Sequence, residues 1–218
     1  IAPDGFKVSE KVLATSWLVA DADTGDVIAM KDPHGRYRPA SIIKVLLALI
    51  AIDELPLDKE ITVSEESAGQ EGSAVGLGPN GKYSIDDLLH GLLMVSGNDA
   101  AHALAQELGG DEETLRKVNE KAAELGMKDT RAASYSGLDG PGMSTSAWDM
   151  GVAYSEAYKN PKFSEIISTE MYPFPGYTAA DGEELPGFDV YNDNQLYLND
   201  PDGIGGKTGY TDDAKHTF

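Results

Sequence analysis

Between Ile42 and Ile52 every residue is apolar except Lys44. A helix that is hydrophobic all round offers no face to water, so this stretch predicts a helix buried at the centre of the molecule. A cation carried into such a centre without a partner costs several kcal/mol. Lys44 must therefore be met by groups brought from elsewhere in the chain, or lose its proton. Ser41 stands three residues earlier, at the start of the same helix, and shares a face with Lys44. Whatever fold forms has to be assembled around this pair.

Bulk properties narrow the classes open to the chain. Its 218 residues suffice for one large domain or two lobes on a shared core, and a 41% hydrophobic content marks a globular protein. With 37 acidic and 17 basic residues the formal charge is −20. Nucleic-acid binding needs a basic footprint, and attraction to an anionic membrane surface needs one too; both are disfavoured. A solvated acidic surface accounts for the excess. The lack of cysteine excludes disulfides, thiolate metal sites and a cysteine nucleophile. His34, His90, His102 and His216 show no metal-ligand spacing, and His102, on a predicted helix, reads as structural. The longest apolar run, Val45 to Ile52, is far shorter than the roughly 20 residues of a membrane span. Ile1 is not a natural start, so a leader removed upstream of it is expected.

Thr15 to Asp21 and Asp26 to Lys31 read as strands, with Ala22-Asp23-Thr24-Gly25 supplying hairpin turn chemistry. Ser84 with Asp87 is a capping signature ahead of the stripe Leu88, Leu89, Leu92 and Leu93. Asp111 opens a helix with Leu115, Val118, Ala122 and Leu125 on one face and Gly126 at its close. Ser146 with Asp149 starts another, running to about Tyr158. From Tyr172 to Pro201 the Pro, Gly, Asp and Asn content predicts extended segments and loops. Gly205 to Thr211 and Lys215 to Phe218 read as short strands joined at Asp212-Asp213. Strands at both ends with helices between predict an α/β protein in one domain. Its antiparallel sheet would come from residues 1–38 and 203–218, with a mainly helical lobe, residues 39–202, inserted.

The same residues suit acyl transfer. A serine hydroxyl is a poor nucleophile until a base takes its proton. A lysine serves as that base when neutral, and both burial and a second cation lower its pKa. Lys207, in Lys207-Thr208-Gly209, is that cation if the last strands lie beside the helix. The helix start also turns backbone N–H groups towards Ser41, where an oxyanion would form. Ser96-Gly97-Asn98 falls between two helices, Ser84 to Val95 and roughly Asp99 to Leu108, where such residues favour a turn on their own account. The functional alternative has Ser96 relaying a proton to a leaving amine while Asn98 orients Lys44 and a substrate amide. A strand edge entered through glycines lets an extended peptide pair with it. Lys207, Thr208 and Gly209 then line the substrate's terminal carboxylate, and the N–H of Tyr210 is a second oxyanion donor. This chemistry requires no cofactor and no metal. The acidic Asn199-Asp200-Pro201-Asp202-Gly203 carries calcium-type ligands but reads as a turn with solvated carboxylates.

S-x-x-K, S-x-N and K-T-G in this order resemble the serine D-alanyl-D-alanine carboxypeptidases, the low-molecular-mass penicillin-binding proteins. The likeness extends to Pro39-Ala40-Ser41, to Leu88-Leu89-His90-Gly91-Leu92-Leu93, and to Ser96-Gly97-Asn98-Asp99-Ala100-Ala101. Gly137-Leu138-Asp139, Thr145-Ser146-Ala147-Trp148-Asp149, Asn192-Asp193-Asn194 and Gly203-Ile204 before the last motif are similar as well. It covers roughly residues 15 to 218. The resemblance implies a penicillin-recognising serine transpeptidase/β-lactamase-like fold and removal of the terminal D-alanine from peptidoglycan stem peptides. It implies Ser41 as the acylated nucleophile, Lys44 as its base, and Ser96 and Asn98 as the second wall. Lys207 and Thr208 would bind the substrate carboxylate, and the N–H groups of Ser41 and Tyr210 would form the oxyanion hole. β-Lactams would be covalent inhibitors, and the protein would be exported to the cell envelope, anchored, if at all, by a segment outside this sequence.

Three departures stand out. Trp148 replaces the family's usual arginine, a local packing difference. Gly206 is an extra glycine before Lys207, which would alter the strand entry. The sequence stops at Phe218, so a further central strand and a C-terminal helix of the family fold are expected to be missing from it, leaving backbone groups of the sheet unpaired. Class A β-lactamases carry a deacylating glutamate in an E-x-x-L-N segment; none lies between Asn98 and Lys207, which favours the carboxypeptidase over that rival. A non-catalytic peptidoglycan-binding protein of the same fold is the alternative from another class. Transpeptidases and endopeptidases differ in the acceptor that reaches the acyl-enzyme, which sequence does not separate.

Overall fold

The structure, a computed structural model, describes residues 7–218; residues 1–6, the beginning of the expected sheet lobe, lie outside the described residues. β1 (Trp17–Ala20) and β2 (Val27–Lys31) form the expected antiparallel hairpin. Asp21 builds its turn by accepting from the N–H groups of Asp23 at 2.9 Å and Thr24 at 2.8 Å. The chain next makes a 3₁₀ turn, Ala40–Ile43, and continues as α1 (Lys44–Glu54). Every residue of α1 from Lys44 to Ala51 is buried.

β3 (Glu60–Thr62), α2 (Glu65–Ala68) and β4 (Lys82–Ser84) follow, and β3 pairs with β4 so that Ser84 arrives at the head of α3 (Ile85–Met94). There the capping box forms as expected: Ser84 Oγ accepts from the N–H of Asp87, and the Asp87 carboxylate accepts from the N–H of Ser84. α4 (Asn98–Glu107) starts after a three-residue break, Val95 to Gly97, and α5 (Asp111–Glu124) ends before Gly126, at φ +73°. α6 (Ala147–Tyr158) is capped by Ser146, and α7 (Pro161–Ile167) by Asn160 with proline in its first turn. α1 packs against α3, α5, α6 and α7. Each leucine or isoleucine it buries contributes about 1.5–3 kcal/mol. This helix-wrapped helix is what the apolar run demanded.

The stretch from Tyr172 is more regular than its composition suggested. β5 (Met171–Phe174) leads to β6 (Tyr177–Thr178), which pairs with β7 (Glu184–Leu185); β8 (Phe188–Tyr191) returns to pair with β5, and α8 (Gln195–Asn199) follows. Burial of Phe174 and Val190 outweighs the turn-forming residues around them. Asn199 to Gly203 turns as expected, with Asp200 Oδ1 accepting from the N–H of Asp202 at 3.0 Å.

β9 (Gly209–Thr211) and β10 (Lys215–Thr217) form the last antiparallel hairpin, Thr217 opposite Gly209. Two details differ from the expected sheet. The ladder begins at Gly209, so Lys207 and Thr208 precede it; Gly205, at φ +133°, is not in strand conformation. The two terminal hairpins are antiparallel, but among the described residues no ladder joins them. Each leans on helical structure instead: β1 on α6, and β9 and β10 on the 3₁₀ turn. Thr217 Oγ–H donates to the carbonyl of Pro39 at 2.9 Å, which fixes that second contact. Trp148 sits with its ring 5.0 Å from that of His34, a local packing arrangement.

Candidate active site

Ser41 lies on the 3₁₀ turn and Lys44 begins α1. At three residues per turn, positions i and i+3 eclipse one another, closer than an α-helix would bring them. Lys44 Nζ consequently rests 2.8 Å from Ser41 Oγ. The turn is entered through Ala40 at φ +49°, a left-handed conformation that costs a non-glycine residue about 1–2 kcal/mol.

Two glycines close around this turn. A Cβ on Gly137 would fall 2.1 Å from the carbonyl oxygen of Ala40, and one on Gly209 would fall 2.8 Å from the nitrogen of Ser41. Gly137 also has φ +94°. Gly137→Ala is therefore expected to lower stability by about 2–3 kcal/mol and to displace the serine. Thermal unfolding and covalent labelling of Ser41 measure the two effects; an unchanged protein in both would show that the turn tolerates the methyl group.

Lys44 is fully buried. Besides Ser41, its Nζ meets Asn98 Oδ1 at 2.8 Å and the carbonyl oxygen of Ser136 at 2.7 Å. Burial, and after it the charge of Lys207, hold its pKa well below the ordinary lysine value; Asp99 and Asp193 pull the other way. A neutral amine has two N–H bonds and one lone pair. The two carbonyl-type oxygens take the hydrogens, and the lone pair is left for the hydroxyl of Ser41. Sequence reading did not find Ser136, because a backbone acceptor in a loop leaves no side-chain signal; the Gly137-Leu138-Asp139 segment beside it is the nearest clue.

The second wall is the break between α3 and α4. Ser96 adopts φ +62°, and its Oγ is buried without a hydrogen-bond partner. Asn98 is fixed from behind: its Nδ2 donates to the carbonyl of Glu71 at 2.7 Å and its N–H to that of Ser73 at 2.6 Å. Asp99 is fully buried. Its carboxylate accepts from the N–H groups of Val75 at 3.0 Å, Gly76 at 2.9 Å and Leu77 at 3.0 Å, clamping residues 71–77 against the site. Asp99 had appeared in the sequence as part of a motif without a task of its own.

On the third side Lys207 is buried, and its Nζ donates to the carbonyl of Thr208 at 2.6 Å. Burial brings its pKa down to about 8, against the opposing field of Asp193. Thr208 Oγ–H donates to Asp193 Oδ1 at 3.1 Å. Tyr210 is exposed on β9. Thus Ser41, Lys44, Asn98, Lys207 and Gly209, distant in sequence, surround one spot, with Ser96, Thr208 and Tyr210 adjoining them in the chain.

The architecture is that of the penicillin-recognising serine enzymes. The crystal structure of a D-alanyl-D-alanine carboxypeptidase from Mycobacterium tuberculosis superimposes with a TM-score of 0.89 at 40% identity, covering 99% of this chain and 80% of that one. The DD-transpeptidase of Streptomyces K15 gives 0.89 at 25% identity, covering 96% and 85%. Residues 5–218 match the D-alanyl-D-alanine carboxypeptidase family, peptidase family S11, and the chain belongs to it. Among its curated relatives, the D-alanyl-D-alanine carboxypeptidase DacB2 of Mycobacterium tuberculosis is 44% identical over 94% of this chain and 69% of its own length. DacF of Bacillus subtilis is 32% identical over 98% of this chain and 55% of its own length. A D-alanyl-D-alanine endopeptidase of Pseudomonas aeruginosa is 31% identical over 97% and 68%.

Proposed function

We propose that this chain carries the catalytic site of a serine D-Ala-D-Ala carboxypeptidase acting on peptidoglycan stem peptides through an acyl-enzyme on Ser41. The observation that carries the reading is the 2.8 Å approach of a fully buried Lys44 to Ser41 Oγ, with burial and Lys207 lowering the lysine's pKa. In this mechanism Oγ attacks the carbonyl carbon of the penultimate D-alanine as its proton passes to Lys44 Nζ. The oxyanion is held by the N–H groups of Ser41 and Tyr210. The C–N bond breaks, and the leaving amine takes a proton through the otherwise unpartnered hydroxyl of Ser96. Lys207 and Thr208 hold the substrate's terminal carboxylate, and Asn98 keeps Lys44 in line. Water then cleaves the ester, releasing the peptide one residue shorter and returning the proton to Oγ.

The relatives carry the names carboxypeptidase, endopeptidase and transpeptidase; a peptidase passes its acyl group to water and a transpeptidase to an amine. Water is proposed as the acceptor here, following the most similar of these relatives. The substrate places the site in the cell envelope; no helix of the described residues is long and apolar enough to cross a membrane.

A small D-alanine departs and admits water, whereas the leaving group of an opened β-lactam stays tethered. No glutamate in an E-x-x-L-N setting is at hand to activate water on the other face. Mass analysis after incubation with each ligand tests the reading. A D-Ala-D-Ala pentapeptide is expected to lose one alanine while penicillin leaves a lasting adduct of intact-drug mass on Ser41. Rapid penicillin hydrolysis with no adduct and no D-alanine release would decide for a β-lactamase. Inertness to both ligands would decide for a binding protein.

A further inference from the structure

Asn192-Asp193-Asn194 is pinned from several sides. Asn192 Nδ2 donates to the carbonyls of Ile167 at 3.2 Å and Thr169 at 3.0 Å, and its Oδ1 accepts from the N–H of Asn194 at 3.0 Å. Asn194 Oδ1 accepts from the N–H groups of Leu196 at 3.1 Å and Tyr197 at 3.2 Å, and the N–H of Asp193 donates to the carbonyl of Met94 at 2.9 Å. Both asparagines are buried, and Asp193 between them is exposed. The segment therefore presents one acidic side chain from a rigid base, and that side chain takes the hydroxyl hydrogen of Thr208.

Thr208 has a single hydroxyl hydrogen to give. In the reading above, that hydrogen and the ammonium of Lys207 receive the substrate's terminal carboxylate. Asp193 already holds the first, and its field reaches the second. Two carboxylates repel one another when placed at one donor group. We propose that Asp193 is a specificity-determining residue: it occupies the edge of the terminal-carboxylate subsite in the free protein and must turn away before an anionic ligand is seated. A ligand without that carboxylate meets no such competition. This inference rests on the proposed function and adds to it a selective cost on one end of the substrate.

The test compares acylation by benzylpenicillin with acylation by its methyl ester, which lacks the carboxylate. It is run at pH 6, where Lys207, at about 8, keeps its proton. Asp193→Asn removes the charge, and Asp193→Ala also frees the Thr208 hydroxyl. In both variants the ratio of penicillin to methyl-ester acylation rates should rise about three- to tenfold over the natural chain; any effect of Asp193 on Lys44, whose pKa it raises, acts on both ligands alike and cancels in the ratio. For a D-Ala-D-Ala peptide, KM should fall by the same factor while kcat holds. Equal changes with both penicillins would mark Asp193 as acting through Lys44 or through structure alone, and no gain with penicillin would dismiss its competition; either outcome overturns the inference. If the natural chain is labelled by neither ligand, the functional reading itself fails and this inference with it.

Discussion

Ser41→Ala is expected to abolish penicillin labelling and to slow D-alanine release by about 10⁴-fold or more, while leaving the protein folded. The substitution deletes one hydroxyl from a half-buried side chain. That hydroxyl bonds to Lys44 and, at 3.5 Å, reaches the Ser136 carbonyl. Lys44 retains Asn98 and Ser136 as acceptors, so no buried donor is orphaned outright, and stability should move by no more than about 1 kcal/mol. Intact-mass analysis with penicillin and thermal unfolding report the two halves of this expectation. A penicillin adduct on the variant would assign the nucleophile to another residue.

Lys44→Arg should be almost as damaging although it conserves formal charge, with acylation slowed about 10²- to 10⁴-fold. The pocket offers Lys44 two acceptors and one serine, and burial lowers its pKa so that it can give up its proton; arginine keeps its proton and has no lone pair to accept the serine hydrogen. Its planar fork must also fit where a compact amine was fully buried. In the natural protein the acylation rate should rise with pH as Lys44 is deprotonated and decline above about 8 as Lys207 loses the charge proposed to hold the substrate. Stopped-flow acylation across pH measures both limbs. Near-natural acylation by the variant would remove lysine from the role of base.

The parts of the fold legible in sequence were those set by local chemistry. The wholly apolar run gave the central helix, Ser84 with Asp87 gave the cap of α3, and Gly126 closed α5 as read. The three motifs picked out the residues that converge on Lys44. What escaped was made by tertiary contact. The segment from Leu55 to Tyr83 has no strong period, yet its carbonyls at Glu71 and Ser73 hold Asn98. Ala40 and Ser96 adopt left-handed backbone that neither residue type announces. The unjoined hairpins likewise depend on what packs beside each, because a strand's hydrogen bonds are satisfied by a neighbour its own sequence does not name.

The grip of Asp99 on the loop at residues 75–77 reaches beyond rigidity. It is made to three peptide N–H groups, and Asn98 answers through the peptide carbonyls of Glu71 and Ser73. Main-chain atoms are the same for every amino acid but proline. The side chains of Glu71, Ser73 and Ala74, all exposed, take no part in this scaffolding. The rim of the site is thus built like a socket with interchangeable facing: descendants of this chain can alter charge and bulk at these three exposed positions without disturbing the distance between Lys44 and Ser41.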